Sequence, residues 1–154
     1  MANSYINIYL HIVFAVKHRD SLIAPAWQPH FHAYIAKSLN ERGHHAIAVG
    51  GTANHVHILL DYSGKELISE MIRDLKVSST NYANKHRICQ HRFLWQPGYG
   101  CFSVSATNKD AVVNYIRHQN EHHNNRTLRD EIQHMLDSAG VEYDNRYIFE
   151  DVQF

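Results

Sequence analysis

The chain has 154 residues, 15 Lys/Arg against 15 Asp/Glu, 14 histidines and two cysteines. That length suits one domain with a real core, and no apolar run approaches the roughly 20 residues a membrane-spanning helix needs. Cys89 and Cys101 cannot build a disulfide framework or a four-thiolate zinc site, which points to a reducing cytoplasm. The zero net charge hides an asymmetry: residues 1–127 carry 13 Lys/Arg against 8 Asp/Glu, and residues 128–154 carry 2 against 7. A mildly basic body therefore precedes an acidic tail, and histidines with an ordinary pKa of about 6.5 can add positive charge beside phosphates.

Residues Tyr5 to Val16 alternate and are rich in β-branched and aromatic types, so they read as a long first strand rather than a signal peptide. Pro25 and Pro29 suit a helix start. Trp27, Phe31, Tyr34, Ile35 and Leu39 then keep helical spacing until Gly43. HAIAVGG (45–51) and HVHILLDY (55–62) read as a hairpin turning through Gly50, Gly51 and Asn54. Ser63 and Glu66 have the spacing of a capping box, ahead of a helix marked by Leu67, Ile68, Met71, Ile72 and Leu75 and running to about Asn84. FLWQ and CFSVS supply a further strand or two. Thr107 with Asp110 starts the helix AVVNYIRHQNEHH. Thr127 with Asp130 opens a last helix with Leu128, Ile132, Met135 and Leu136 inward, closed by Gly140. Strand–helix–strand–strand–helix–strand is the order of a ferredoxin-like α+β sandwich, an antiparallel sheet with helices on one face. A C-terminal helical extension follows. The whole chain reads as one domain, with its core at about 5–125 and an acidic extension at about 126–154.

Within TANHVHILLD (52–61), His55 and His57 are two apart on a strand and so share a face, opposite Val56, Ile58 and Leu60. If the apolar side packs on the helices, both imidazoles face the sheet's open side, close enough to bind one ion. Two imidazoles with an oxygen donor suit Mn, Fe or Zn better than Mg. Cys89 and His91 could join such a site and tilt it towards zinc. In VVNYIRHQNEHHNN (112–125), Val112, Tyr115, Ile116 and Gln119 share one helix face. Tyr115 there is either a core aromatic or a phenol beside a metal that Gln119 helps to hold. A glutamine on an apolar stripe needs a buried polar partner.

His-hydrophobic-His on a central strand, with Tyr-x-x-x-Gln on a later helix, resembles the HUH endonuclease superfamily. More narrowly, it resembles the small single-tyrosine transposases of bacterial insertion sequences, the IS200-like type, together with the REP-associated tyrosine transposases. YLHIVFAVKHR (9–19), NHVHILL (54–60), ISEMIRDLKVSSTNYAN (68–84), FLWQPGYGCFSVS (93–105) and VVNYIRHQNEHH (112–123) carry the likeness in order, over roughly residues 5–125. The resemblance implies a divalent ion, Mg or Mn, on His55, His57 and Gln119, with Tyr115 as nucleophile. It implies cleavage and rejoining of single-stranded hairpin DNA through a 5′-phosphotyrosine. It also implies a homodimer joined sheet to sheet, for which the long first strand would offer an edge, and a tyrosine helix able to act in trans. A hinge for that helix would fall at Ala106–Asn108 or at Gly98 and Gly100.

Arg73, Lys76, Lys85, Arg87, Arg92 and His118 are candidate DNA contacts, joined by Ser78–Asn81 and by His122. Trp95, Tyr99 and Phe102 are candidate base-stacking or core aromatics. Two other readings stay open. One is a non-catalytic ferredoxin-like module binding single-stranded nucleic acid. The other is a zinc hydrolase using His55, His57 and a carboxylate such as Asp61.

Overall fold

A computed structural model describes residues 4–119 and 127–149. Strand β1 (Tyr9–Ala15) leads through short 3-10 turns to helix α1 (Gln28–Glu41). The hairpin β2 (His45–Thr52) and β3 (His55–Asp61) precedes helix α2 (Ile68–His86). Strand β4 (Gly100–Val104), helix α3 (Lys109–Arg117) and helix α4 (Leu128–Ala139) follow. The sheet is antiparallel in the order β2-β3-β1-β4, the ferredoxin-like arrangement the element order predicts.

Alternation decides what each face carries. Leu10, Ile12 and Phe14 of β1, with Val56, Ile58 and Leu60 of β3, point to one side and meet Phe31, Ile35 and Leu39 of α1 and Met71, Ile72 and Leu75 of α2. Phe14, Phe31, Phe93 and Trp95 interlock there, mostly edge to face. Each such buried apolar side chain contributes about 1.5–3 kcal/mol. Trp95 therefore belongs to the core, and its indole N–H donates to the hydroxyl of fully buried Ser79 at 3.0 Å.

The other sheet face is not open. Helix α3 lies across it, with Ile116 packed on Ala48 and Leu59 and Val112 and Val113 beside them. His55 and His57 are fully buried underneath. Gly50 and Gly51 lie inside β2 rather than in the turn. Gly50 pairs with His57, and a Cβ there would stand 2.6 Å from the carbonyl oxygen of Ile116. The missing side chain is what lets α3 descend onto the sheet.

Other expectations shift for local reasons. The first strand begins at Tyr9, not Tyr5, because Tyr5 and Ile6 have no strand partner and are exposed. β1 runs between β3 and β4, so the edges belong to β2 and β4 and β1 has none to offer. Ser63 and Glu66 form no capping box. The α2 N-cap is Leu67, while the Glu66 carboxylate takes the Arg42 guanidinium and His44 Nε2 (2.6 Å). His44 Nδ1 accepts from the Ser63 amide at 3.1 Å, so Nε2 carries the proton it donates to Glu66. That network lowers the Glu66 pKa from its usual value, chiefly through the Arg42 hydrogen bond. FLWQ contributes only a bridge, Val16 to Trp95. Thr127 does cap α4, accepting from the Asp130 amide at 3.1 Å, and Gly140 closes it with φ 69°.

Candidate active site

His55 sits between two oxygens. Its Nδ1 is 2.7 Å from Asn54 Oδ1, and its Nε2 is 2.9 Å from Gln119 Oε1. Both amides are fixed as acceptors by their other contacts. The Thr52 hydroxyl donates to Asn54 Oδ1 at 2.9 Å, and the Gln119 amide nitrogen donates to Glu131 Oε1 at 3.4 Å. A neutral imidazole has one N–H and can satisfy only one of two flanking acceptors. With Nδ1–H directed at Asn54, Nε2 presents its lone pair beside Oε1, and a cation between them could be held by both.

His57 is oriented by a residue that strand reading passed over. Its Nδ1 is 2.7 Å from Nε2 of His11, which lies on β1, on the same face and two register pairs along. Burial pushes His11 down to about 4, so its ring is neutral and can accept from His57 Nδ1–H, directing His57 Nε2 to the site. Among the described residues, His55, His57 and Glu131 form the one group whose ligand atoms all lie within 4.8 Å of one another. Glu131, on α4, is buried, and its carboxylate accepts the hydroxyl of Tyr115. The Tyr115 ring stands edge-on to His57 at 5.6 Å and to His11 at 6.2 Å. His55, His57, Tyr115 and Gln119 thus converge within one chain, joined by His11 and Glu131. The two imidazoles and the amide oxygen of Gln119 make a donor set that fits a divalent ion, with the Glu131 carboxylate beside it. Beside it, a cleft of about 330 Å³ is lined by His11, Asn108, Ala111, Tyr115, Glu131 and Met135 among others.

The remaining candidates lie elsewhere. Asp61 is at the far end of β3, paired with Tyr9 and His45, so the carboxylate beside the histidines is Glu131. Cys89 and His91 meet each other, Sγ to carbonyl at 3.2 Å, and His91 faces Asp20 rather than the histidine pair. Lys76 turns inward: its amine donates to the carbonyls of Gln96 (2.8 Å) and Gly98 (2.6 Å) over the Phe14 ring, and burial lowers it to about 8. Arg73 is exposed and pairs with Asp74 at 3.2 Å. Lys85, Arg87 and Arg92 are exposed around the C-terminal end of α2, where Arg87 adopts φ 53°. His118 is exposed, its Nδ1 on the Asn114 carbonyl at 2.7 Å. Tyr99 is exposed and Phe102 half-buried, and His122 lies outside the described residues.

An antiparallel α+β sheet carrying a histidine pair under a tyrosine helix defines a recognisable class of protein, and comparison with known proteins places the chain within it. The family model described as "Transposase IS200 like" matches residues 4–119, and the chain belongs to that family of DNA transposases. Among solved structures, a REP-associated tyrosine transposase bound to a REP hairpin superposes with TM-score 0.59 at 17% identity, over 100% of this chain and 93% of that one. A candidate transposase from Deinococcus radiodurans R1 gives TM-score 0.58 at 22% identity, over 77% of this chain and 96% of that one. These likenesses show a shared fold. No curated protein matches.

Proposed function

We propose that this transposase cleaves and rejoins single-stranded hairpin DNA through a 5′-phosphotyrosine on Tyr115, with a divalent ion held by His55, His57 and Gln119. The observation that carries the reading is the Tyr115 ring edge-on to buried His57 of its own chain, with its hydroxyl on Glu131, whose carboxylate lies beside the histidine pair. A phenol with an ordinary pKa near 10 is a weak nucleophile at neutral pH and needs an activating environment. When bound, the ion would polarise the scissile phosphate and stabilise the departing 3′ oxygen. Tyr115 attacks the phosphorus, forming the phosphotyrosine and releasing a 3′-hydroxyl. Rejoining reverses the step, so no ATP is required. His11 and Asn54 keep the two imidazoles in the tautomers that present Nε2. The neighbour solved on a REP hairpin favours folded single strands as the substrate. A dimer joined sheet to sheet would use β2 or β4.

The test mixes purified protein with Mn and labelled single-stranded hairpins from both flanks of its own gene, and resolves the products on a denaturing gel. A covalent protein–DNA band that needs metal, and that is lost in Tyr115→Phe and His57→Ala, is expected. Hairpins retarded on native gels without any covalent band would instead mark a non-catalytic binding module.

A further inference from the structure

Glu131 is an odd residue for its position. It lies on the first turn of α4 but is buried, and α4 begins beyond the stretch that matches the family model. Burying an ionised carboxylate costs several kcal/mol unless its oxygens are used. Here Oε1 is used by the reacting group, accepting the hydroxyl of Tyr115 and, at 3.4 Å, the amide of Gln119, while Oε2 lies 3.9 Å from His55 Nε2. The same carboxylate borders the cleft that runs beside Tyr115 and His11.

We infer that Glu131 is a catalytic residue that takes the phenolic proton as Tyr115 attacks DNA, an inference that rests on the phosphotyrosine reading above. As the bond from Tyr115 Oη to phosphorus forms, the hydroxyl proton passes to Glu131 Oε1. The bond from phosphorus to the 3′ oxygen breaks, and that oxygen leaves with its electron pair and takes a proton from water. On rejoining, the 3′-hydroxyl attacks and gives its proton to water, while Tyr115 leaves and recovers its proton from Glu131. The nucleophile is thus set by the IS200-like core and its proton acceptor by the C-terminal extension. The contact to Tyr115 distinguishes this role from a purely structural anchor for α4.

The experiment measures single-turnover adduct formation with Mn and the hairpin that wild-type protein cleaves, and in parallel Mn affinity by electron paramagnetic resonance. It compares wild type, Glu131→Gln and Glu131→Asp, each with either tyrosine or 3,5-difluorotyrosine at position 115. Positioned proton transfer contributes roughly 10²–10⁴-fold, so Glu131→Gln is expected to slow the adduct at least about 100-fold while Mn affinity stays within about threefold. Difluorotyrosine ionises more readily and is expected to restore the Glu131→Gln rate by about tenfold while changing wild type little. Glu131→Asp, which keeps the carboxylate, is expected to fall between. A Glu131→Gln rate equal to wild type overturns the inference and leaves the phosphotyrosine reading intact. Loss of Mn affinity in step with rate, without difluorotyrosine rescue, also overturns it and makes Glu131 a metal ligand. Absence of any Tyr115-dependent adduct from wild type overturns the phosphotyrosine reading and the inference together.

Discussion

His11 and Asn54 act on the site through the far nitrogens of the histidine pair, and this makes their contribution measurable apart from chemistry. His11→Phe fills similar space but gives His57 Nδ1 no acceptor. Outer partners of metal-ligating imidazoles are typically worth 10–100-fold in metal affinity, so the variant should bind Mn about that much more weakly by calorimetry. A half-buried histidine offers a separate prediction. Desolvation pushes His32, on α1, down to about 4, and its Nε2 has no hydrogen-bond partner among the described residues. Between that value and the ordinary 6.5, the unfolded chain holds a proton the folded chain does not, so stability falls as pH drops through this window. The loss reaches about 3 kcal/mol at most near the lower end. His32→Leu should flatten the denaturant midpoint against pH between 6.5 and 4 by that share, with little change at pH 7. Neither His11 nor Glu131 stood out from the sequence, yet both left a trace. His11 falls on the face of β1 shared with Tyr9 and Val13. Glu131 falls three residues after Leu128 on the inward stripe of α4, the same anomaly that marks Gln119 on its helix. An acidic residue in a first turn is so easily credited to the helix dipole that its burial goes unread.

At the scale of elements, the strands and helices were legible because each keeps its own period, 2 in β1 and β3 and 3.6 in α1, α2 and α4. What the period does not encode is which side a later helix returns to. The histidine face looked open because nothing local says that α3 folds back over it; the trace is Gly50, whose role is set by Ile116, 66 positions further along. Likewise Ser63 and Glu66 have capping-box spacing, but Arg42 and His44 offer Glu66 a stronger, charge-assisted set of partners than a backbone amide. Gly50→Ala should therefore act on the tyrosine helix rather than on the turn. Forcing a Cβ against the Ile116 carbonyl should cost about 1–3 kcal/mol in chemical denaturation. It should also slow adduct formation more than it weakens hairpin binding, because α3 carries Tyr115. A variant with unchanged adduct rate would show that α3 does not need its close seat on β2.

For the whole molecule, the sequence supports the family and the site chemistry, but not whether one chain completes its own site. In the structure Tyr115 stands over the His57 of the same chain, with Glu131 of the same chain on its hydroxyl. The segment leading into α3 is a 3-10 turn, Ala106–Asn108, that runs directly into Lys109. Moving the tyrosine helix to a second subunit would require breaking the contact of Ile116 with Ala48 and Leu59, along with the hydrogen bonds of Gln119 and Tyr115. These contacts predict action within one chain, and complementation tests it. Tyr115→Phe and His57→Ala are each expected to be inactive, but a dimer exchanging tyrosine helices would rebuild one complete site in every mixed pair. An equimolar mixture would then recover about a quarter of wild-type adduct, since half the random dimers are mixed and each holds one working site of two. Within-chain action predicts that the mixture stays as inactive as its components at every ratio and concentration, even if the chains associate through β2 or β4. Recovery near a quarter would mean that α3 leaves its own sheet when the hairpin binds.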